Sequence, residues 1–78
     1  MDIKLVDVVV HVDESIDRSA RTAMEDSVRE LQGVVSVGQH DEKPHLMVVE
    51  YNPDQTSSGD ILALVRGQGV HAEVMQRS

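Results

Sequence analysis

The chain has 78 residues, a formal net charge of −7 at neutral pH, no cysteine, and Tyr51 as its one aromatic residue. A chain of this length forms one domain with a thin aliphatic core, which no disulfide and no cysteine-based zinc site can reinforce. The acidic charge argues against nucleic acids and anionic membrane surfaces as partners, since both need clustered Lys and Arg, and no apolar run approaches the roughly 20 residues of a membrane span.

The first third of the sequence predicts a strand followed by a helix. Valines at every second position indicate a strand over Ile3–Val12, because alternate side chains of a strand share one face. A helix from about Ile16 to Gln32 follows, since apolar residues recur at helical spacing and residues 13–15 carry oxygens that can cap a first turn. Gly33 is expected to end this helix. Charged residues of alternating sign are expected on its outer face: Asp17, Arg21, Glu25 and Arg29.

The rest of the sequence predicts a hairpin, a second helix and a last strand. Residues 40–44 are polar and form the predicted hairpin loop between two strands. The second helix starts after Ser57, where Asp60 completes a pattern similar to a capping box. The predicted elements of this part are strands at Val34–Gln39, His45–Tyr51 and Val70–Met75 and a helix between residues 57 and 67.

The order of these elements, βαββαβ, determines the predicted fold class. Two right-handed β-α-β crossovers in this order give an α+β protein, the ferredoxin-like sandwich. It consists of a four-stranded antiparallel sheet with the spatial order 4-1-3-2 and two helices on one face. The other face of the sheet is left without a covering layer.

Four short segments carry a resemblance to a known family, and they occur in the order and at the spacing of that family. They are Leu31–Val34 at the end of the first helix, Val49–Pro53 at the end of the third strand, Ser57 leading into Ile61, and Gly69–Ala72 at the start of the last strand. With these segments the chain resembles the heavy-metal-associated domains, the fold of copper chaperones and of metal-ATPase N-terminal modules. The resemblance covers nearly the whole length and implies a single heavy-metal-associated-like domain over residues 1–78, with a role in metal binding or metal transport.

The metal-binding motif of that family is missing from this chain. In the family, two thiolates of a Cys-x-x-Cys motif lie after the first strand and in the first turn of the first helix. Counting back from Gly33 places these two positions at Asp17 and Ala20. Neither side chain binds Cu(I), which selects sulfur ligands. We therefore expect a small binding module that keeps the fold of a metallochaperone, has a degenerate metal loop and lacks a Cu(I) site.

Histidine and carboxylate side chains offer a different metal chemistry. The predicted topology gathers all four histidines at one edge of the domain: His11, His40, His45 and His71. Because the first and last strands are neighbours, His11 and His71 are expected to face each other on the helix-free face. Imidazole and carboxylate suit borderline ions, so we predict Zn(II) or Ni(II) at His11, Asp17 and His71. Two alternatives stay open: these are solvated residues, with Asp17 stabilising a helix start, or the paired histidines make this edge pH-sensitive.

The helix-free face of the sheet predicts a second kind of function. Five apolar side chains are expected to cluster there as an interface: Leu5, Val9, Leu46, Val48 and Met75. A cluster of this size tends to mark a contact surface. The alternative function is therefore a protein–protein interaction module, or a regulatory module similar to an ACT domain, that dimerises through this face or docks its acidic surface on a protein partner.

Catalysis is not expected, because no persuasive nucleophile–base arrangement is present and a domain of this size hardly offers a cleft. The residues from Met1 to Lys4 lack the basic start and apolar core of a signal peptide. We therefore predict a cytoplasmic protein without membrane insertion.

Overall fold

The protein is described by a computed structural model that covers residues 4–40 and 43–77. The described residues form six elements in the predicted order βαββαβ, which is thereby confirmed. The elements are β1 (Val6–Val12), α1 (Arg18–Arg29), β2 (Val34–His40), β3 (Lys43–Tyr51), α2 (Ser58–Arg66) and β4 (Ala72–Arg77). Two residues of the predicted hairpin loop, Asp41 and Glu42, lie outside the described residues. Neither described helix has the length and apolar character needed to cross a lipid bilayer.

The four strands form one antiparallel sheet in the order β2-β3-β1-β4. This is the predicted order 4-1-3-2 read from the other edge, so the ferredoxin-like fold class is confirmed. Helix α1 contacts β2, α2 contacts β4, and the two helices contact each other. The sheet therefore has one face under the helices and one open face, and each strand divides its side chains between the two.

Alternating burial along β1 shows how the valine pattern creates the core. Val8 and Val10 are fully buried under the helices, whereas Val9 between them is half-buried on the open face. Helix α2 adds Ile61 and Val65, four residues apart and both completely buried, because side chains at this spacing lie on one side of a helix. The other buried apolar residues are Val12, Met24, Val28, Val37, Met47, Val49, Tyr51 and Ala72.

Helix α1 differs from its sequence-based prediction in two respects. Glu25 was expected on the outer face but is buried, with 8% of its surface exposed, because it precedes the buried Val28 by three residues and shares its side of the helix. One of its carboxylate oxygens, Oε2, has no hydrogen-bond partner among the described residues. The helix also ends at Arg29 rather than at residue 32, and Leu31 then closes a tighter turn by donating its backbone N–H to the carbonyl of Val28 at 3.1 Å.

Gly33 follows this turn and has a left-handed backbone with φ of +100°. Its carbonyl accepts the backbone N–H of Asn52 at 2.8 Å, which brings the loop after β3 against the end of α1. A Cβ at this position would lie 2.8 Å from the Cβ of Gln55 and 3.1 Å from Cγ2 of Thr56. Glycine is therefore required here by both the backbone conformation and the close approach of the loop.

Candidate functional site

A histidine and two carboxylates converge where β1 ends and β4 begins. His11 and Glu73 lie opposite each other in the β1–β4 ladder, and Asp13 follows His11 by two residues. The Nδ1 atom of His11 is 3.1 Å from Oδ1 of Asp13. One ligand atom from each of the three residues lies within 4.8 Å of the other two. We call this group the His11 cluster; it brings together an imidazole and two carboxylates on a solvent-accessible edge.

A second imidazole, that of His45 on β3, lies beside the His11 cluster. The rings of His45 and His11 are 5.9 Å apart between centroids and are tilted by 31°. The Nδ1 atom of His45 is 2.9 Å from the carbonyl oxygen of Val12, and because a carbonyl can only accept, Nδ1 carries the proton. In the neutral ring, Nε2 is then left with its lone pair. Metal-binding histidines commonly have this tautomer, held by an outer hydrogen bond to a carbonyl.

His71 is held by the loop between β1 and α1. Its backbone N–H donates to the carboxylate of Glu14, at 2.8 Å from Oε1, and its Nδ1 lies 3.1 Å from Oε2. The backbone N–H of Asp13 donates in turn to the carbonyl of His71 at 2.8 Å. The residue opposite His11 is Glu73, so the predicted pairing of His11 with His71 is wrong. The physical reason is the register of the ladder: Val12 pairs with Ala72, so His71 lies beside Asp13, two residues beyond His11.

The hydrogen bond from the backbone N–H of His71 lowers the pKa of Glu14 below its ordinary value of 4.5. The bond from the side chain of His71 acts in the same direction, and partial desolvation of the carboxyl opposes both. A carboxyl whose pKa is lower in the folded than in the unfolded state stabilises the fold above the unfolded pKa. That stabilisation is lost as the pH falls through the folded pKa.

The Glu14→Gln variant is therefore expected to lose stability relative to wild type in a pH-dependent way. Near about pH 6 wild type should have the higher urea midpoint, because ionised Glu14 accepts stronger bonds than an amide does. By about pH 3 the difference between the two proteins should shrink, since protonation removes the charge from Glu14. Urea unfolding followed by circular dichroism at both pH values measures the difference; a gap of equal size at both would contradict the prediction.

Asp17 is the N-cap residue of α1. Its Oδ1 accepts the backbone N–H of Ala20 at 2.8 Å. The two positions that correspond to the family's thiolates are therefore joined here by a helix-capping hydrogen bond.

The structure separates the three residues predicted as metal ligands. His11 lies in the His11 cluster, His71 lies against Glu14, and Asp17 lies at this cap. The side chain of His40 lies outside the described part of the structure. Asp13 and Glu73 were missed; the signal for Asp13 was its position two residues after His11, on the same side of an extended chain.

An open depression of about 370 Å³ adjoins the His11 cluster. Its wall includes both carboxylates of the cluster and the exposed His71, so ions and water reach these groups from one side. The lining residues are Asp13, Arg66, Val70, His71, Ala72 and Glu73. The side chain of Arg66 is directed by a bond from its Nε to the carbonyl of Ala72 at 3.0 Å.

Of the five predicted interface residues, three lie together in the β1–β3 ladder. Val9 and Val48 are opposite each other in the β1–β3 ladder, and Leu46, two residues before Val48, shares their face. All three are half-buried, and we call them the apolar stripe. Leu5 precedes β1 and is 38% exposed, whereas Met75 is 57% exposed and lies at the irregularity in the β1–β4 pairing, where it has no partner in β1.

Comparison with known proteins shows which solved structures have a similar architecture. No family model and no curated protein matches the sequence. Among solved structures, the N-terminal domain of a potential copper-translocating P-type ATPase from Bacillus subtilis is 16% identical with a TM-score of 0.84, over 96% of this chain and 92% of that one. MerP from Ralstonia metallidurans is 18% identical with a TM-score of 0.82, over 94% and 100% of the two chains. The copper chaperone of Enterococcus hirae is 20% identical with a TM-score of 0.78, over 87% and 98%.

These identities are too low to carry a binding partner from one protein to another, but the likeness spans nearly the whole of each chain. The resemblance found in the sequence is therefore confirmed at the level of the fold. The chain has the ferredoxin-like fold of the heavy-metal-associated domains, and it contains no cysteine.

Proposed function

We propose that this protein is a binding module that uses the His11 cluster to bind one borderline divalent ion, Zn(II) or Ni(II). The observation that carries the proposal is the convergence of ligand atoms from His11, Asp13 and Glu73 within 4.8 Å. Imidazole nitrogen and carboxylate oxygen are ligands of such ions, whereas Cu(I) selects the sulfur that cysteine would provide. Solved structures with this fold include the N-terminal domain of a potential copper-translocating P-type ATPase and a copper chaperone.

The distance between His11 and Asp13 suits two ligands of a single ion. Zinc binds nitrogen and oxygen at about 2.0–2.2 Å, so two ligands at a tetrahedral angle are about 3.3–3.6 Å apart. The separation of 3.1 Å between His11 Nδ1 and Asp13 Oδ1 is close to this, and an ion there takes the place of the shared proton. Glu73 is exposed, so its carboxylate has room to rotate inward.

His45 is the candidate for a fourth donor. Its neutral tautomer leaves Nε2 free, and its ring lies beside that of His11. Asp17 and His71 are not included in the proposed site, because the structure gives each a different partner: the N-terminus of α1 for Asp17 and Glu14 for His71. We propose a binding role, because solved structures with this fold include a domain of a potential copper-translocating P-type ATPase and a copper chaperone. A cytoplasmic location stays a prediction.

Titration of tag-free protein with zinc chloride and nickel chloride in a calorimeter tests the proposal. Wild type is expected to bind one ion per chain, with the stoichiometry checked by native mass spectrometry. His11→Gln should weaken binding by at least about 10–100-fold, since even outer-shell partners of metal ligands contribute that much. His71→Gln is the matched control: it removes an imidazole from the same edge and should leave the affinity unchanged.

Two results would count against this site. Absence of heat with either ion, together with a melting temperature that does not respond to added ion or chelator, overturns metal binding altogether. Loss of binding in His71→Gln and in Asp17→Asn, with His11→Gln also impaired, moves the ion to the set predicted from sequence. Asp17→Asn preserves the helix cap, because Asn is as good an N-cap residue as Asp.

Self-association or regulatory ligand binding through the open face is the second candidate function. The apolar stripe favours it, because a lone sheet face is usually polar where it meets water. Against a dimer stands the charge of the same face, which a second copy would duplicate. Together, the apolar stripe and the negative charge of the open face favour a partner other than a second copy of this chain.

A further inference from the structure

We infer that the open face of the sheet docks a basic amphipathic segment of another protein, in which Lys or Arg residues flank a short apolar core. The inference uses residues outside the proposed metal site, with the exception of Glu73, and it stands whether or not that site binds an ion. It begins from the apolar stripe of Val9, Leu46 and Val48, which faces away from both helices.

Acidic residues border the apolar stripe at both ends. At one end Asp7 and Glu50 lie directly opposite each other in the β1–β3 ladder. At the other end Glu73 lies opposite His11. Like charges in directly opposed positions destabilise a sheet, by about 0.2–1 kcal/mol for such pairs. The two neighbouring carboxylates repel each other and create a local negative potential. A bound cationic group would reduce this repulsion.

The basic residues lie elsewhere. Every arginine whose side chain the structure describes belongs to a helix: Arg18, Arg21 and Arg29 to α1, and Arg66 to α2. Among the described side chains, the open-face positions of β1 and β3 contain no Lys or Arg; they are Asp7, Val9, His11, Leu46, Val48 and Glu50. The described part of the domain is thus polarised: its described arginine side chains belong to the helices, and the open face has an apolar stripe bordered by acidic residues.

Charge distinguishes between two possible partners for the open face, a second copy of this chain and a basic segment of another protein. A second copy of this chain would bring another Asp7, Glu50 and Glu73 to the interface and add a molecule with a net charge of −7. A basic segment would instead pair its cations with these carboxylates and cover the stripe with its apolar residues. Electrostatic complementarity of this kind suppresses wrong partners and sets the register of the right one.

The spacing of the acids sets the spacing of the partner's cations. Asp7 and His11, opposite Glu73, are four residues apart on β1, which is about 13–14 Å at the rise of an antiparallel strand. A helix covers that distance in about eight or nine residues. The partner that fits is therefore an amphipathic helix of about three turns, with basic residues about two and a half turns apart and leucine-like residues between them. Three apolar residues make a small contact, so the interaction belongs to the weak, transient class.

Fluorescence anisotropy with a labelled model helix tests the inference. The probe is a peptide of about 15 residues with Leu at helical i, i+3, i+4 and i+7 positions and Lys at both ends of that face; its control carries Glu in place of Lys. Wild type is expected to bind the Lys peptide, to bind it less at high salt, and not to bind the Glu peptide. The double variant Asp7→Asn/Glu50→Gln should bind the Lys peptide about tenfold more weakly, which corresponds to about 1.4 kcal/mol.

The matched control is Glu30→Gln/Asp54→Asn. It removes the same two charges from exposed positions outside the sheet, and its affinity should stay close to that of wild type. Stability gives a second readout, because Asp7→Asn/Glu50→Gln relieves a like-charge pair and should melt no lower than wild type. A weaker binder that is equally or more stable cannot be explained by unfolding.

Three results would overturn the inference. The first is equal binding of the Lys and Glu peptides, and the second is an equal loss in the two double variants. The third is a dimer in sedimentation velocity at physiological salt that Val48→Glu dissociates, since the face would then be occupied by a second copy.

Discussion

Ile61→Ala is expected to lower the free energy of unfolding by about 2–5 kcal/mol, the range for truncation of a buried isoleucine. Ile61 is completely buried and is the largest of the fully buried side chains. It lies on α2, whose buried face rests on the sheet, and its removal leaves a cavity that a small domain has few neighbours to fill. At roughly 0.05–0.15 kcal/mol per residue, 78 residues provide about 4–12 kcal/mol in total. The side chain of Ile61 therefore accounts for a large part of the protein's total stability.

Urea unfolding followed by far-ultraviolet circular dichroism measures this loss. Leu62→Ala is the matched control, because it removes a side chain of equal size from the next position of the same helix, where the leucine is half-buried. Leu62→Ala should lower the free energy of unfolding by less than half as much as Ile61→Ala does. Equal losses in the two variants would mean that α2 does not present Ile61 to the core.

The parts of the fold that follow from local periodicity could be predicted from the sequence. Alternate valines in β1 indicated a strand with one buried face, and Val8 and Val10 are completely buried. Ser57 was recognised as a helix start, and its hydroxyl accepts the backbone N–H of Asp60 at 3.1 Å. Each of these features is determined by residues that are close together in the chain, so it can be predicted from the sequence alone.

Features that depend on contacts between elements could not be predicted in the same way. The burial of Glu25 follows from how α1 is rotated over the sheet and against α2, which its own pattern does not determine. The pairing of His11 with Glu73 depends on where β4 begins and on the irregularity between Val9 and Val10. A shift of one residue in register changes the face of every side chain that follows. Candidate ligands on two strands are therefore the least predictable part of a site.

The metal site and the docking face share an edge but can be tested separately. His11→Gln is expected to weaken ion binding and to leave Asp7 and Glu50, which attract the peptide, unchanged. Asp7→Asn/Glu50→Gln is expected to weaken peptide binding and to leave the His11 cluster intact. If both proposals hold, a bound ion offsets the charge of Glu73, and zinc should then weaken binding of the Lys peptide by a modest factor.

Alanine substitutions at three glycines are expected to separate backbone strain from steric clash. Gly33→Ala combines both, because φ is +100° and the new Cβ would meet Gln55 at 2.8 Å; we expect a loss of about 2–4 kcal/mol. Gly69 has φ of +92° but no atom within 4 Å of the added Cβ, so its substitution should cost about 1–2 kcal/mol from strain alone. Gly38 has neither feature, and alanine there should be neutral or stabilise by about 0.4–1 kcal/mol through the unfolded state.

The order of the three urea midpoints, with Gly38→Ala highest and Gly33→Ala lowest, is the measured outcome. The difference between Gly33→Ala and Gly69→Ala isolates the contact between the end of α1 and the loop after β3, since the backbone strain is similar at both positions. A Gly33 variant as stable as the Gly69 variant would mean that the loop at residues 52–56 moves away at little cost. In that case the backbone bond from Asn52 to Gly33 would not hold the loop against the helix.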